Sequence, residues 1–186
     1  LLGGLLGSVG GGNNPLVKAA LAGIAASAVS HALGGGASVG TAGAGVGYKI
    51  RNLASRKLLA NPEGSRDNGT KIIQWEDDGR PEQAWQIERG VHGGTLIGNM
   101  ASGKLLANPE GSHDNGTQII QWENNGGPEQ EWTLEPGPHG GVRIRNMASR
   151  KVLANPEGSA NNGTNIIQWQ DDGGPEQEWT FEPPLQ

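Results

Sequence analysis

The 186-residue chain is predicted to be an all-β body of three equivalent lobes closed around a threefold axis, preceded by a Gly/Ala-rich segment. Three observations predict it. Trp75, Trp122 and Trp169 are spaced by 47 residues, and so are Trp85, Trp132 and Trp179, so all six tryptophans obey one period. Around them recur Ala-Asn-Pro-Glu-Gly-Ser (from Ala60, Ala107 and Ala154), Asn-Gly-Thr (from Asn68, Asn115 and Asn162) and Ile-Ile-Gln-Trp. Each unit ends in Pro-Glu-Gln-x-Trp, from Pro81, Pro128 and Pro175. Three copies with no partial fourth suit a closed object better than an open solenoid.

Each unit divides into short strands separated by turns. In the first unit the strands are expected at Tyr48–Arg51, Lys57–Leu59, Lys71–Trp75 and Trp85–Glu88. Asn-Pro-Glu-Gly, Asp-Asn-Gly and Asp-Asp-Gly separate them. Proline fixes φ and Asn or Gly accepts positive φ, so these are turns with a mechanism. Four strands in each of three units give twelve strands and almost no helix. Ring closure buries one apolar stripe per unit and leaves few open edges.

The Gln-x-Trp triplets at Gln83–Trp85, Gln130–Trp132 and Gln177–Trp179, with Arg-Asn-x-Ala-Ser-x-Lys-x-Leu upstream, resemble the signature of the ricin-B-type lectins, bacterial members included. The resemblance covers about residues 48–182 and implies a β-trefoil with units at about 48–90, 91–138 and 139–182. It also implies a non-enzymatic carbohydrate-binding domain over 48–186. By the same resemblance Trp85, Trp132 and Trp179, with Gln83, Gln130 and Gln177, belong to the structural core. Trp75, Trp122 and Trp169 fall where family members stack a sugar, whose apolar C–H face suits an aromatic plane.

The departures from the family pattern are equally regular. The Asp that receives two sugar hydroxyls is Ala60, Ala107 and Ala154 here. A polar contact two residues before the stacking aromatic is Ile73, Ile120 and Ile167, and the Asn before the Gln-x-Trp glutamine is Glu82, Glu129 and Glu176. Removing such a charge-assisted anchor costs about 1.5–3 kcal/mol, which argues against galactose binding of the usual kind. Asn61, Asn108 and Asn155, or Glu63, Glu110 and Glu157, are candidates to replace it, together with Glu82, Glu129 and Glu176. The alternative is that the Ile/Trp surface contacts protein. Three copies of a shallow site would act as a multivalent device.

Other chemistry is sparse. Asn-Gly-Thr matches a glycosylation acceptor but reads first as a turn. Asp77-Asp78 and Asp171-Asp172 become Asn124-Asn125 in the middle unit, which argues against shared acid/base catalysis. There is no cysteine, no metal-ligand spacing among the four histidines, no phosphate loop and no Lys/Arg run. No enzyme activity, cofactor or metal is expected, and nucleic acid is not the expected partner.

Residues 1–47 hold 14 glycines and a single charge, Lys18, which leaves the rest with a formal charge of −6. A helix is expected over about residues 15–33. Asn14 would be its N-cap, Pro15 its first residue and Gly34 its C-cap. Leu16, Val17, Leu21 and Ile24 give it an apolar face, while Ala19, Gly23 and Ser27 allow close approach of a second helix. Glycines of 34–47 would form a tether. Three uses are open: self-association into a homo-oligomer or filament, insertion in a membrane, or a signal peptide. The start at Leu1 suggests that processing or truncation removed an upstream segment. Three functions follow: a lectin displayed on an oligomer for cell-surface or extracellular glycans, a structural subunit coated by the trefoil, or a lectin-targeted membrane-active protein. A secreted or cell-surface location is the corresponding expectation.

Overall fold

A computed structural model of the chain describes residues 47–183. The proposed helix with Leu16, Val17, Leu21 and Ile24 lies outside the described residues. Twelve strands follow in order: β1 Lys49–Asn52, β2 Leu58–Ala60, β3 Ile73–Trp75, β4 Trp85–Arg89, β5 Thr95–Asn99, β6 Leu105–Ala107, β7 Ile120–Trp122, β8 Trp132–Pro136, β9 Val142–Asn146, β10 Val152–Ala154, β11 Ile167–Trp169 and β12 Trp179–Glu182. All pairings are antiparallel. Strand β4 pairs with β5, β8 with β9 and β12 with β1. Bridges at Tyr48↔Trp85, Thr95↔Trp132 and Val142↔Trp179 join the remaining neighbours, so these six strands close into a barrel. Hairpins β2–β3, β6–β7 and β10–β11 form a cap over one end. This is the expected all-β trefoil.

Each unit sends four side chains to one core. Ile50, Leu59, Ile72 and Trp85, with their eight counterparts, are all fully buried. The Gln-x-Trp indoles meet the condition that a buried N–H be bonded: Trp85, Trp132 and Trp179 Nε1 donate to the carbonyls of Leu59, Leu106 and Leu153 at 2.9–3.0 Å.

The third strand is shorter than Lys71–Trp75 because the chain crosses between units before β3. Ile72 N–H donates to Ile119 O, Ile119 N–H to Ile166 O and Ile166 N–H to Ile72 O, each at 2.9 Å. A ring of three hydrogen bonds thus surrounds the pseudo-threefold axis. Outside it, each Asn-Gly-Thr turn pairs with the next unit's Gln-Trp strand: Gly69 N–H donates to Gln121 O, and Gln121 N–H to Thr70 O, both at 2.9 Å. The buried amide of Gln121 completes the joint, with Nε2 donating to Ser65 O at 2.7 Å and Oε1 accepting from Ser102 Oγ.

Departures from exact repetition follow local demands. Glu131 and Glu178 are buried, and each accepts from the hairpin connecting two units: His92 N–H, its ring Nδ1 and Gly94 N–H surround Glu131 at 2.8–2.9 Å. The first-unit counterpart is Ala84, which faces Gly47. In units one and three, Asp77 binds Lys49 and Arg51, and Asp171 binds Arg143 and Arg145. Glu182 and Glu135 bind the same Arg51 and Arg145. In unit two, the cation positions are Leu96 and Gly98 and the acid is Asn124, so cations and aspartate vanish together.

Burial by itself pushes the Glu131 carboxyl up, but the bonds from His92 and Gly94 outweigh it and hold it below its ordinary value. The Lys49 bond lowers Asp77, and the Arg145 and Arg51 bonds lower Glu135 and Glu182. For Asp171, burial opposes, yet Arg145 and Arg143 prevail downward. A carboxyl held low when folded stabilises above its ordinary value, 4.5 for Glu and 3.8 for Asp, and loses that contribution as pH falls. The melting temperature is therefore expected to decline from about pH 5 to about pH 2, with a shallower decline in Glu131→Gln, as read by calorimetry. Trp132→Ala should destabilise by about 3–5 kcal/mol in denaturant titration, and a cost below 1 would contradict its place in the core.

Candidate functional site

Three equivalent clefts lie on the surface, one per unit. In the first, Ala60 and Ile73 face each other across β2–β3 and form the floor. Trp75 is one wall; Pro62 and Glu63 form the second; Asp78, Glu82 and Gln83 form the third. The other two clefts repeat this from Ala107 and Ala154, and the volumes are about 350, 340 and 350 Å³.

The two adjacent isoleucines divide their work. Ile72 is core and Ile73 is floor, because successive strand residues point to opposite sides. The outward indoles stay 38, 37 and 37% exposed at Trp75, Trp122 and Trp169. They are held by the neighbouring unit: Asn162 Oδ1 accepts from the N–H that follows Trp75, at 2.9 Å, with equivalent bonds from Asn68 and Asn115. A Cβ added at Gly163 would sit 3.7 Å from Trp75 Cζ3, so the turn backbone lies beside the ring. The Asn-Gly-Thr triplet is a turn, as expected, and also a support for the neighbouring indole.

Gln83, Gln130 and Gln177 are buried clamps beneath the third wall. Gln83 Nε2 donates to Glu76 O at 2.6 Å and Oε1 accepts from Asp78 N–H at 3.1 Å. This fixes the Asp-Asp-Gly turn against the cleft. The paired acids of that turn separate: Asp77 faces the Lys49/Arg51 cluster, and Asp78 faces the cleft. Both use an oxygen to accept an N–H two residues on, and Asn124 and Asn125 do the same. Turn formation tolerates either residue, which explains the exchange in the middle unit.

Asn61, Asn108 and Asn155 border the clefts but are fully buried, and their Nδ2 groups are turned inward. Asn61 Nδ2 is committed to Ser65 O at 2.8 Å and Asn99 Oδ1 at 3.3 Å. Asn99 in turn donates to Glu82 O at 2.9 Å, so the asparagines brace two walls against each other. Their Oδ1 atoms have no hydrogen-bond partner. The other candidates lie nearer the surface: Glu63, Glu110 and Glu157 are exposed, with left-handed φ of 54, 53 and 54°, and Glu82, Glu129 and Glu176 are half-buried.

The clefts differ at one edge. Arg80 stands 3.8 Å from both Glu82 and Asp78 in the first. Gly127 and Gly174 occupy that position in the others, and there the carboxylate of Glu129 or Glu176 lies in the space a Cβ would take. The inter-unit partners Gln74, Gln121 and Gln168, and the braces Asn52, Asn99 and Asn146, were not singled out by sequence reading. Their signal was available: a polar residue at an inward strand position, repeated three times. Among the described residues, no group of three His, Cys, Asp or Glu could hold a metal ion. Nor is any described helix long and apolar enough to cross a membrane.

Known structures with this architecture include lectins and carbohydrate-active proteins. A designed threefold-symmetric protein, ThreeFoil, is 29% identical with a TM-score of 0.70 over 73% of this chain and 97% of that one. An exo-β-1,3-galactanase from Clostridium thermocellum is 34% identical with a TM-score of 0.70, and the match covers 74% of this chain and 30% of the galactanase. A Macrolepiota procera ricin B-like lectin, solved with lactose, shares the fold at 20% identity and a TM-score of 0.65, over 78% of this chain and all 100% of the lectin. No curated protein sequence matches. The profile of the ricin-type beta-trefoil lectin domain-like family matches residues 38–122 and 128–184, and with the three repeated clefts and the Gln-x-Trp core it shows that the chain belongs to that family.

Proposed function

We propose that the protein is a non-enzymatic carbohydrate-binding lectin whose three clefts each seat one sugar unit against an outward indole. The observation that carries this reading is the triplicate concave site of about 350 Å³ with a tryptophan wall about 37% exposed. An aromatic plane in solvent is otherwise a disfavoured place for so large an apolar ring, and a pyranose face covers it well. The lectin relative solved with lactose supports the ligand class. The rim supplies carboxylates that accept sugar hydroxyls, and the Ala/Ile floor supplies none, so each site is expected to be weak alone. Millimolar binding corresponds to only about 4 kcal/mol. Three sites on one body, further multiplied if residues 1–47 assemble copies of the chain, raise avidity by about 10²–10⁴ toward a glycan-coated surface. A secreted or cell-surface location is part of this proposal.

Glycan-array binding is expected to fall by at least about tenfold with each of Trp75→Ala, Trp122→Ala and Trp169→Ala, and to disappear in the triple variant. The triple variant should still melt cooperatively, because these rings lie outside the core. Undiminished array binding by that folded variant would remove the site from consideration.

A further inference from the structure

We propose that the clefts select sugars bearing a positively charged amine, glucosamine-type units with the nitrogen unacetylated, over neutral sugars; this rests on the reading of the clefts as glycan sites. The groups bordering each cleft are rich in acceptors and poor in donors. The Asn61 amide spends its N–H groups inward on Ser65 and Asn99, and Gln83 spends its Nε2 on Glu76 O. What remains near the surface of the first cleft is the carboxylates of Glu63, Asp78 and Glu82 with the Arg80 guanidinium at one edge, and the unpartnered Oδ1 of Asn61 beneath them. The third cleft has Glu157, Asp172 and Glu176 over Asn155 and no cation.

Beside the clefts, the acids that face the barrel's arginines are neutralised. Asp77, Asp171, Glu135 and Glu182 each bind an arginine. Among the described residues Glu63, Glu110 and Glu157 form no ion pair, and neither do Glu129 and Glu176. An ammonium group has three donors and no acceptor, which matches this arrangement, and its charge offsets the mutual repulsion of the carboxylates. The exposed indole favours a cation over its face as well as a sugar ring. A neutral hydroxyl satisfies one acceptor at a time and leaves the repulsion in place.

The three clefts should differ accordingly. The third holds three carboxylates and no cation, the second has Asn125 in place of one acid, and the first has Arg80 beside two of its acids. The third is expected to be tightest.

The test is a calorimetric and NMR titration of the full chain with a β-1,4-glucosamine tetrasaccharide, its fully N-acetylated counterpart, and a tetralysine peptide. The free-amine sugar should bind at least about tenfold tighter than the acetylated one, a single charge-assisted contact being worth that much. The advantage should shrink as ionic strength rises from about 0.01 to about 1 M, where the screening length falls from roughly 30 to 3 Å. Glu157→Gln with Glu176→Gln should remove the preference in the third cleft, and Arg80→Gly should strengthen the first. Equal or better binding of the acetylated sugar, still dependent on the three indoles, would overturn the charge selection while leaving the lectin reading in place. Binding of neither sugar would overturn the amine selection, and the glycan array would then decide the lectin reading by itself. Tetralysine binding as tightly as the amine sugar, or amine binding that survives loss of the indoles, would show plain charge attraction and also overturn the proposal.

Discussion

The body depends on closure around the threefold axis. Three backbone bonds among Ile72, Ile119 and Ile166 form a cycle in which no unit can be satisfied without both others. A buried N–H left unbonded costs about 1–3 kcal/mol, so opening one joint leaves orphaned groups on two units. The isoleucine side chains at the same positions fill the centre of the core, so apolar burial and backbone satisfaction are lost together. A single unit could not keep its four core side chains dry. Three are the smallest set that closes.

Closure also explains why the clefts are well formed although they are shallow. Each outward indole stands on its own unit's strand but is fixed by the preceding turn of a neighbour, at Asn162, Asn68 or Asn115. The glutamine clamp and the asparagine brace then set the other two walls. The fold by itself thus shapes the clefts, a preorganisation that lowers the ordering cost of any binding there. The chemistry of the rim can change without disturbing that frame, as the Asp-to-Asn exchange of the middle unit shows.

Much of this was legible in the sequence, because a 47-residue period with two tryptophans per step marks both the core and the outward rings. The Gln-x-Trp glutamines and the turn character of Asn-Gly-Thr were legible for the same reason. The direction of Asn61 was not, since one residue's step along an irregular strand end decides whether an amide faces the cleft or the interior. The inter-unit roles of Gln74 and Asn99 were hidden because their partners lie in other units or across turns, and only the folded arrangement brings them together. Ile72 and Ile73 carried a usable signal that strand alternation would have divided into core and floor. The burial of Glu131 and Glu178 makes sense only once the hairpins that hold them, at His92–Gly94 and His139–Gly141, are seen.

Glu63, Glu110 and Glu157 sit at φ near +54°, a conformation that suits glycine far better than glutamate. Such a residue carries strain on the order of 1–3 kcal/mol, and the chain accepts it three times over. Evolution toward a sturdier scaffold has an easy route there, by trimming three side chains to hydrogen. A lineage that took it would gain thermal resilience and lose the rim that gives these hollows their charge. Hardiness and the charge of the rim are therefore set against each other at the same three backbone positions.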